Sequence, residues 1–329
     1  MPTLLDHLDA QPAPTRNGSP ILTAAERLRT TMAACRVSFT WWGVQRTLTS
    51  EQRAQAAQAF DAEGEFLSAG KKLLDTKHAA FRAVTAIRTK VTDYWKGRSL
   101  PFPEPGVRLI KLEDVEGFDR QMADYKAELE DAVANLDRHC DELKRAAARR
   151  LGSLYNASDY PETLVGLFGV SYDFPSIEPP AYLVQLSPDL YQREQERIRA
   201  RFEEAVRLAE QAFLEEFARV VNHLTERITS TNDDGSPKIF RDSVVDNLTD
   251  FFERFRSLNV RSNQQLDDLV AQAQRAVRNV GAQDLRDNES LRTEVATRLS
   301  RVQASLDAML VDRPRRRILR NAPAPGDTS

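Results

Sequence analysis

Residues Ser187 to Thr229 read SPDLYQREQERIRARFEEAVRLAEQAFLEEFARVVNHLTERIT, and this stretch decides the fold class. Ser187 can accept hydrogen bonds from the free N–H groups of a first helical turn, and Pro188 suits the first helical position. Asp189 suits the positive end of the helix dipole. Ile198, Phe202, Ala205, Ala209, Phe213, Phe217, Val220 and Leu224 then recur at spacings of four and three, which keeps them on one side of a helix. The other faces carry acid-before-base pairs four apart: Asp189 with Arg193, Glu203 with Arg207, Glu215 with Arg219. Such a helix would run about 60 Å at 1.5 Å per residue. A rod of that length needs partner helices to cover its apolar stripe.

The same spacing marks a second rod over 115–154, with Met122, Tyr125, Leu129, Ala132, Leu136, Leu143 and Ala147 on its stripe. The two are expected to lie side by side as a long antiparallel, coiled-coil-like pair. The segment 156–187 between them is irregular. Pro161 suits the start of a short helix through Phe168. Val170, Tyr172 and Phe174 alternate with polar neighbours, and Pro179 and Pro180 precede an extended run at Tyr182 to Val184. Val37, Phe39 and Trp41 alternate in the same way, so these segments are expected to form a small sheet or folded cap at most.

Elsewhere the chain reads as shorter helices. Thr23 with Glu26, and Thr49 with Gln52, are capping boxes for helices to Ala34 and to about Phe60. A helix over 65–95 carries Leu74, Phe81, Val84, Ile87, Val91 and Trp95, and Gly97, Pro101, Pro103 and Pro105 end it. Val107 to Leu112 reads as extended. After a turn over 230–237, helices follow at Phe240 to Leu258, Gln265 to Val280 and Glu289 to Leu310, the last capped by Asn288 or Asp287. Residues 1–20 and the basic, Pro-containing 311–329 are expected to be disordered tails of a mainly α, elongated helical domain over 21–310.

The chain has 329 residues, 41% hydrophobic and 29% charged, with a net charge of −3. That balance gives no general attraction to nucleic acid or membrane. Cys35 and Cys140 stand far apart and read as reduced thiols of a cytosolic protein, with one disulfide between them as the alternative. Met1 to Gly18 has no basic region followed by an apolar core, and the apolar run Leu164 to Val170 is far short of a membrane span. The cytoplasm is the expected location.

The motifs of catalysis are missing. Gly64 to Lys72, GEFLSAGKK, has five residues between its glycines, and Lys72 stands where a phosphate loop needs a hydroxyl. Asp75 with His78, His139 with Glu142, and His223 with Glu226 have the three-residue spacing of helical metal ligands, the last two in reverse order. With four histidines and 49 acidic residues such pairs arise by coincidence, so no metal or cofactor is expected. There is no HExxH, no paired CxxC and no GxSxG. His139 and Cys140 are adjacent and point in different directions on a helix. The acidic clusters Glu128, Glu130, Asp131 and Glu203, Glu204 read as solvated faces. No catalytic residue is assigned, and the chain reads as a non-enzyme.

Two features suit binding instead. Arg313, Arg315, Arg316, Arg317 and Arg320 form a basic tail able to contact phosphates or an acidic partner, with Arg193, Arg197 and Arg201 four apart on the long helix. Trp41, Trp42, Phe168, Tyr172, Phe174 and Tyr182 all fall outside the rods. They either fill the cap or, for Trp41, Trp42, Phe174 and Tyr182, anchor a protein partner.

The strings SFTWWGVQRTL (Ser38 to Leu48) and FLSAGKKLLD (Phe66 to Asp75) resemble a bacterial and phage helical family of unknown function, often encoded beside MoxR-type AAA+ ATPases and von Willebrand A-domain proteins. The resemblance covers about residues 30–100, with Trp42 an extra residue before Gly43. It implies a protein partner such as a AAA+ ATPase and carries over no catalytic residue. The sequence therefore reads as a scaffold or adaptor for protein partners or copies of itself. The alternative is a nucleic-acid-associated protein acting through the arginine tail.

Overall fold

The computed structural model describes residues 22–230 and 242–311. The molecule is mainly helical, and its centre is a strand. Helix α1 (Ala24–Thr31) opens with the expected capping box: Glu26 N–H donates to the Thr23 hydroxyl, and Thr23 N–H donates to the Glu26 carboxylate at 2.8 Å. It ends before Ala34, because Met32 already belongs to the ten-residue strand β1 (Met32–Trp41).

Two different strands flank β1. Its first half pairs antiparallel with β5 (Val107–Lys111), from Met32 opposite Lys111 to Arg36 opposite Val107. Its second half pairs with β6 (Phe168–Asp173) on the other side, Arg36 opposite Asp173 through Trp41 opposite Phe168. The short β4 (Ser99–Pro101) completes the order β4-β5-β1-β6. A separate two-stranded sheet joins β2 (Gln45–Thr47) to β3 (Gly70–Lys72), with α2 (Ser50–Gln58) between them in sequence. The β content is thus larger than the small element expected. The expected extended segments at 37–41, 107–112 and 170–174 supply three of the four central strands.

Successive strand residues point to opposite faces, and each face buries its own core. Met32 and Ala34 of β1, with Val107, Leu109 and Leu100, face α7 (Pro188–Thr229), α8 (Ser243–Leu258), α9 (Gln264–Ala276), α10 (Ala282–Asp287) and α11 (Glu289–Val311). Cys35 and Val37, with Ile110, Phe168 and Val170, face α3 (Ala79–Gly97), α4 (Val115–Arg138) and α5 (Cys140–Leu151).

This division corrects the expected pairing of the two rods. Helix α7 starts where the sequence says, capped by the Ser187 hydroxyl with Pro188 in the first turn. It packs on α8, α11, α1 and β4, whereas α4 packs on α3 and β6. Their stripes are buried in different cores, on opposite faces of the sheet, so a long antiparallel helix pair is not what organises the chain. The second rod is also broken at His139, which lies at φ −95°, ψ 2° between α4 and α5.

Three other expectations change. The helix expected over 65–95 begins at Ala79; before it come a 3-10 turn at Gly64–Phe66 and β3. Leu73 and Leu74 are still buried, but from non-helical backbone. Residues 161–167 form turns, with Leu164 N–H donating to Asp137 Oδ1 at 2.6 Å. Tyr182 to Val184 is not extended: it opens the short helix α6 (Tyr182–Leu186). Among the described residues, no helix is long and apolar enough to cross a membrane.

Helix α5 stops at Gly152, which has φ +52° and ψ −125°. Side chains are strained there even though nothing lies within 4 Å of an added Cβ. Gly152→Ala is expected to lower stability by about 1–3 kcal/mol, read as a reduced urea midpoint with an unchanged slope.

Candidate functional site

After β6 the chain crosses to α7 through residues 174–187, and this strap carries several exposed apolar side chains. Phe174 is part exposed, its ring edge-on to Phe118 and Tyr172 at 6.2 and 6.3 Å. Ile177 packs on the core that holds α7. In α6, Leu183 is half-buried, whereas Tyr182, Val184 and Leu186 are 61%, 49% and 75% exposed. Glu178 is the one charged residue from 174 to 188, and Arg29 holds it at 2.6 Å. The strap therefore offers apolar side chains with no free charge.

The four aromatic residues expected at a partner surface occupy different places. Trp41 is half-buried, edge-to-face with Phe168 at 5.0 Å, and the Arg88 guanidinium lies 4.6 Å over its ring. Trp42 is half-buried against the same core, its backbone N–H donating to Leu167 O at 2.9 Å. Both form part of a core wall. Phe174 lies at the margin of the strap and Tyr182 on its outer side. Sequence reasoning missed Val184 and Leu186; the signal was an apolar run after two prolines with no charge beside it. It also missed Phe60 and Phe66, which are 78% and 86% exposed around α2. Arg313, Arg315, Arg316, Arg317 and Arg320 lie outside the described residues. Arg197 and Arg201 are paired, with Glu194 at 2.9 Å and Glu104 at 3.7 Å.

A second cluster forms at the elbow between α4 and α5. His78 caps α3, its Nδ1 accepting the Ala80 N–H at 3.3 Å. The His78 and His139 rings lie 5.1 Å apart with a tilt of 58°. His139 Nδ1 is 3.4 Å from Glu142 Oε2, in the first turn of α5. Two of the three pairs picked out by spacing thus meet here, without Asp75. That carboxylate is held by the Lys77 N–H and by Arg150 at 3.0 Å, and the Lys77 bond keeps its pKa below the usual value. His223 is exposed on α7, in the other layer.

Cys35, Cys140 and Lys71 are buried. Burial pushes the Cys35 thiol up to about 12 and raises that of Cys140, so neither is a thiolate near neutral pH. Cys140, the first residue of α5, faces the core, while His139 in the break before it is half-exposed. Lys71 of the GKK string is buried, paired with Asp159 at 2.6 Å and donating to Leu154 O at 2.7 Å. A groove of about 740 Å³ opens between α1 and the turn after α8. Its Arg27 is tied to the Leu22 and Val260 carbonyls at 2.9 and 2.7 Å. Compared with family models, curated proteins and solved structures, the chain finds no match.

Proposed function

We propose that the protein is a non-enzymatic scaffold or adaptor that engages another protein through residues 174–186. The observation that carries this reading is the exposure of Tyr182 and Leu186, four residues apart on one face of a short helix, with Val184 exposed on another side of it. Contiguous exposed apolar side chains mark contact surfaces, and aromatic residues among them tend to act as anchors. The single charge of the strap is already paired, so the chemistry fits a partner with an apolar, uncharged face.

The resemblance of Ser38–Leu48 and Phe66–Asp75 supports a partner in a AAA+ ATPase-linked or phage-derived system. Those two strings come together as β2 and β3, Gln45 opposite Lys72 and Thr47 opposite Gly70. Two free, buried thiols fit work in a reducing compartment, the cytoplasm.

The test is co-purification at matched expression of the wild type and of a Tyr182→Asp/Leu186→Asp double variant. The wild type is expected to retain a stoichiometric partner, and the variant to lose at least 10-fold of it. Folding stability should change by no more than about 1 kcal/mol, about 0.5 for each exposed site. A partner held equally by both proteins, or a wild type recovered only as a solitary monomer, would remove this reading.

A further inference from the structure

We propose that His78, His139 and Glu142 bind a borderline divalent transition metal of the Zn²⁺ class, which clamps the start of α3 to the elbow between α4 and α5. The chain has four histidines in 329 residues. Two of them meet here from different parts of the chain, beside a carboxylate, and the three ligand atoms lie within 4.8 Å of one another. Two imidazoles and one carboxylate suit Zn²⁺, Ni²⁺, Co²⁺ or Cu²⁺, whereas Mg²⁺ and Ca²⁺ call for oxygen ligands.

One separation already fits that chemistry, and the other two are bounded at 4.8 Å. Two ligands each about 2.05 Å from a tetrahedral ion are about 3.4 Å apart. The separation of His139 Nδ1 and Glu142 Oε2 is 3.4 Å. The His139 and Glu142 side chains are 41% and 65% exposed, which leaves them free to turn and bring the third ligand into range. Exposure also leaves the remaining coordination position to water, as in open sites.

Two contacts oppose the ion: an Nδ1–H of His139 donated to Glu142 at 3.4 Å gives way when that nitrogen ligates, and the His78 cap is the second. His78 Nδ1 accepts the Ala80 N–H, and a neutral imidazole has only one nitrogen lone pair to offer. Ligation through either nitrogen therefore displaces this cap. At 3.3 Å the bond is longer than a typical N–H···O contact, so little is lost. The Ala80 amide becomes a reporter of His78 ligation that does not depend on measured affinity.

The experiment is calorimetric titration of chelator-stripped full-length protein with ZnCl₂, with MgCl₂ as the comparison ion and amide hydrogen exchange followed over 78–82. The expected result is one Zn²⁺ per chain, no heat with Mg²⁺, and a change in Ala80 exchange. His139→Gln and Glu142→Gln should each weaken binding at least 10-fold, since changing even an outer-shell partner costs about 10–100-fold. His78→Asn should do the same while its side-chain oxygen still caps α3, so that weakened binding is not unfolding. His223→Gln should leave binding unchanged. The proposal falls if the wild type takes up no Zn²⁺ at 10-fold excess, or if His78→Asn and Glu142→Gln bind it as tightly as the wild type. It also falls if Zn²⁺ binds with Ala80 exchange unaltered.

Discussion

Phe217→Ala is expected to destabilise the protein by about 3–5 kcal/mol, among the largest losses from any one side chain. Phe217 is fully buried in the middle of α7, stacked on Phe251 at 4.9 Å and 2°. Phe252 meets the same ring edge-on at 6.4 Å, while Phe213 touches Phe251 and Phe255 at 6.3 and 5.1 Å. A cavity there is lined by rigid rings that cannot collapse into it, which places the cost toward the upper end of the range. The register of α7 gives a sharper comparison. Val221 is fully buried and Val220 only partly so. Val221→Ala should therefore cost more than Val220→Ala in the same urea titration, and the reverse order would mean that the helix is rotated.

Asp159→Ala is expected to cost about 3 kcal/mol, the second large effect. Its carboxylate sits 2.6 Å from Lys71 Nζ, and the Lys71 side chain is 7% exposed. Removing the acid leaves a cation out of water with the Leu154 carbonyl as its remaining partner. Lys71→Met removes the charge itself and fills similar volume, so it should cost far less than Asp159→Ala despite deleting the same ion pair. Equal losses would mean that the pair contributes through packing alone. The contrast can be read from chemical denaturation of the two variants.

What could be read from the sequence was local. The Ser187–Pro188–Asp189 start of α7 and the boxes at Thr23 and Thr49 depend on residues within one turn, and all three form as written. Asn288 likewise caps α11 through Leu291 N–H at 2.9 Å. What could not be read depends on distant partners. Met32 to Ala34 would suit the end of a helix, but pairing with Ile110 and its neighbours draws them into β1. Leu74 fits the stripe of α3 by spacing, yet the chain before it is held as β3 against β2. No proline or glycine occurs in 135–143 to announce the elbow. The bend coincides with Asp137 accepting from Leu164 N–H and Thr163 Oγ1, and with the His139 ring against His78. The histidine cluster was invisible for the same reason. Each spacing was seen separately, and only the fold brings the two together. In the strap, a short apolar run such as Tyr182–Leu186 has no period long enough to separate strand from helix.

If the strap before α7 holds another protein, as proposed, the contact can be trapped covalently. A photo-activatable cross-linker at Leu186, with one at exposed Thr297 of α11 as the comparison, tests it in the cells that make the protein. A single discrete adduct between the protein and a different polypeptide is expected at position 186, and none at 297. Adducts of the chain with itself alone, equal labelling at both positions, or none at 186 would contradict the proposal.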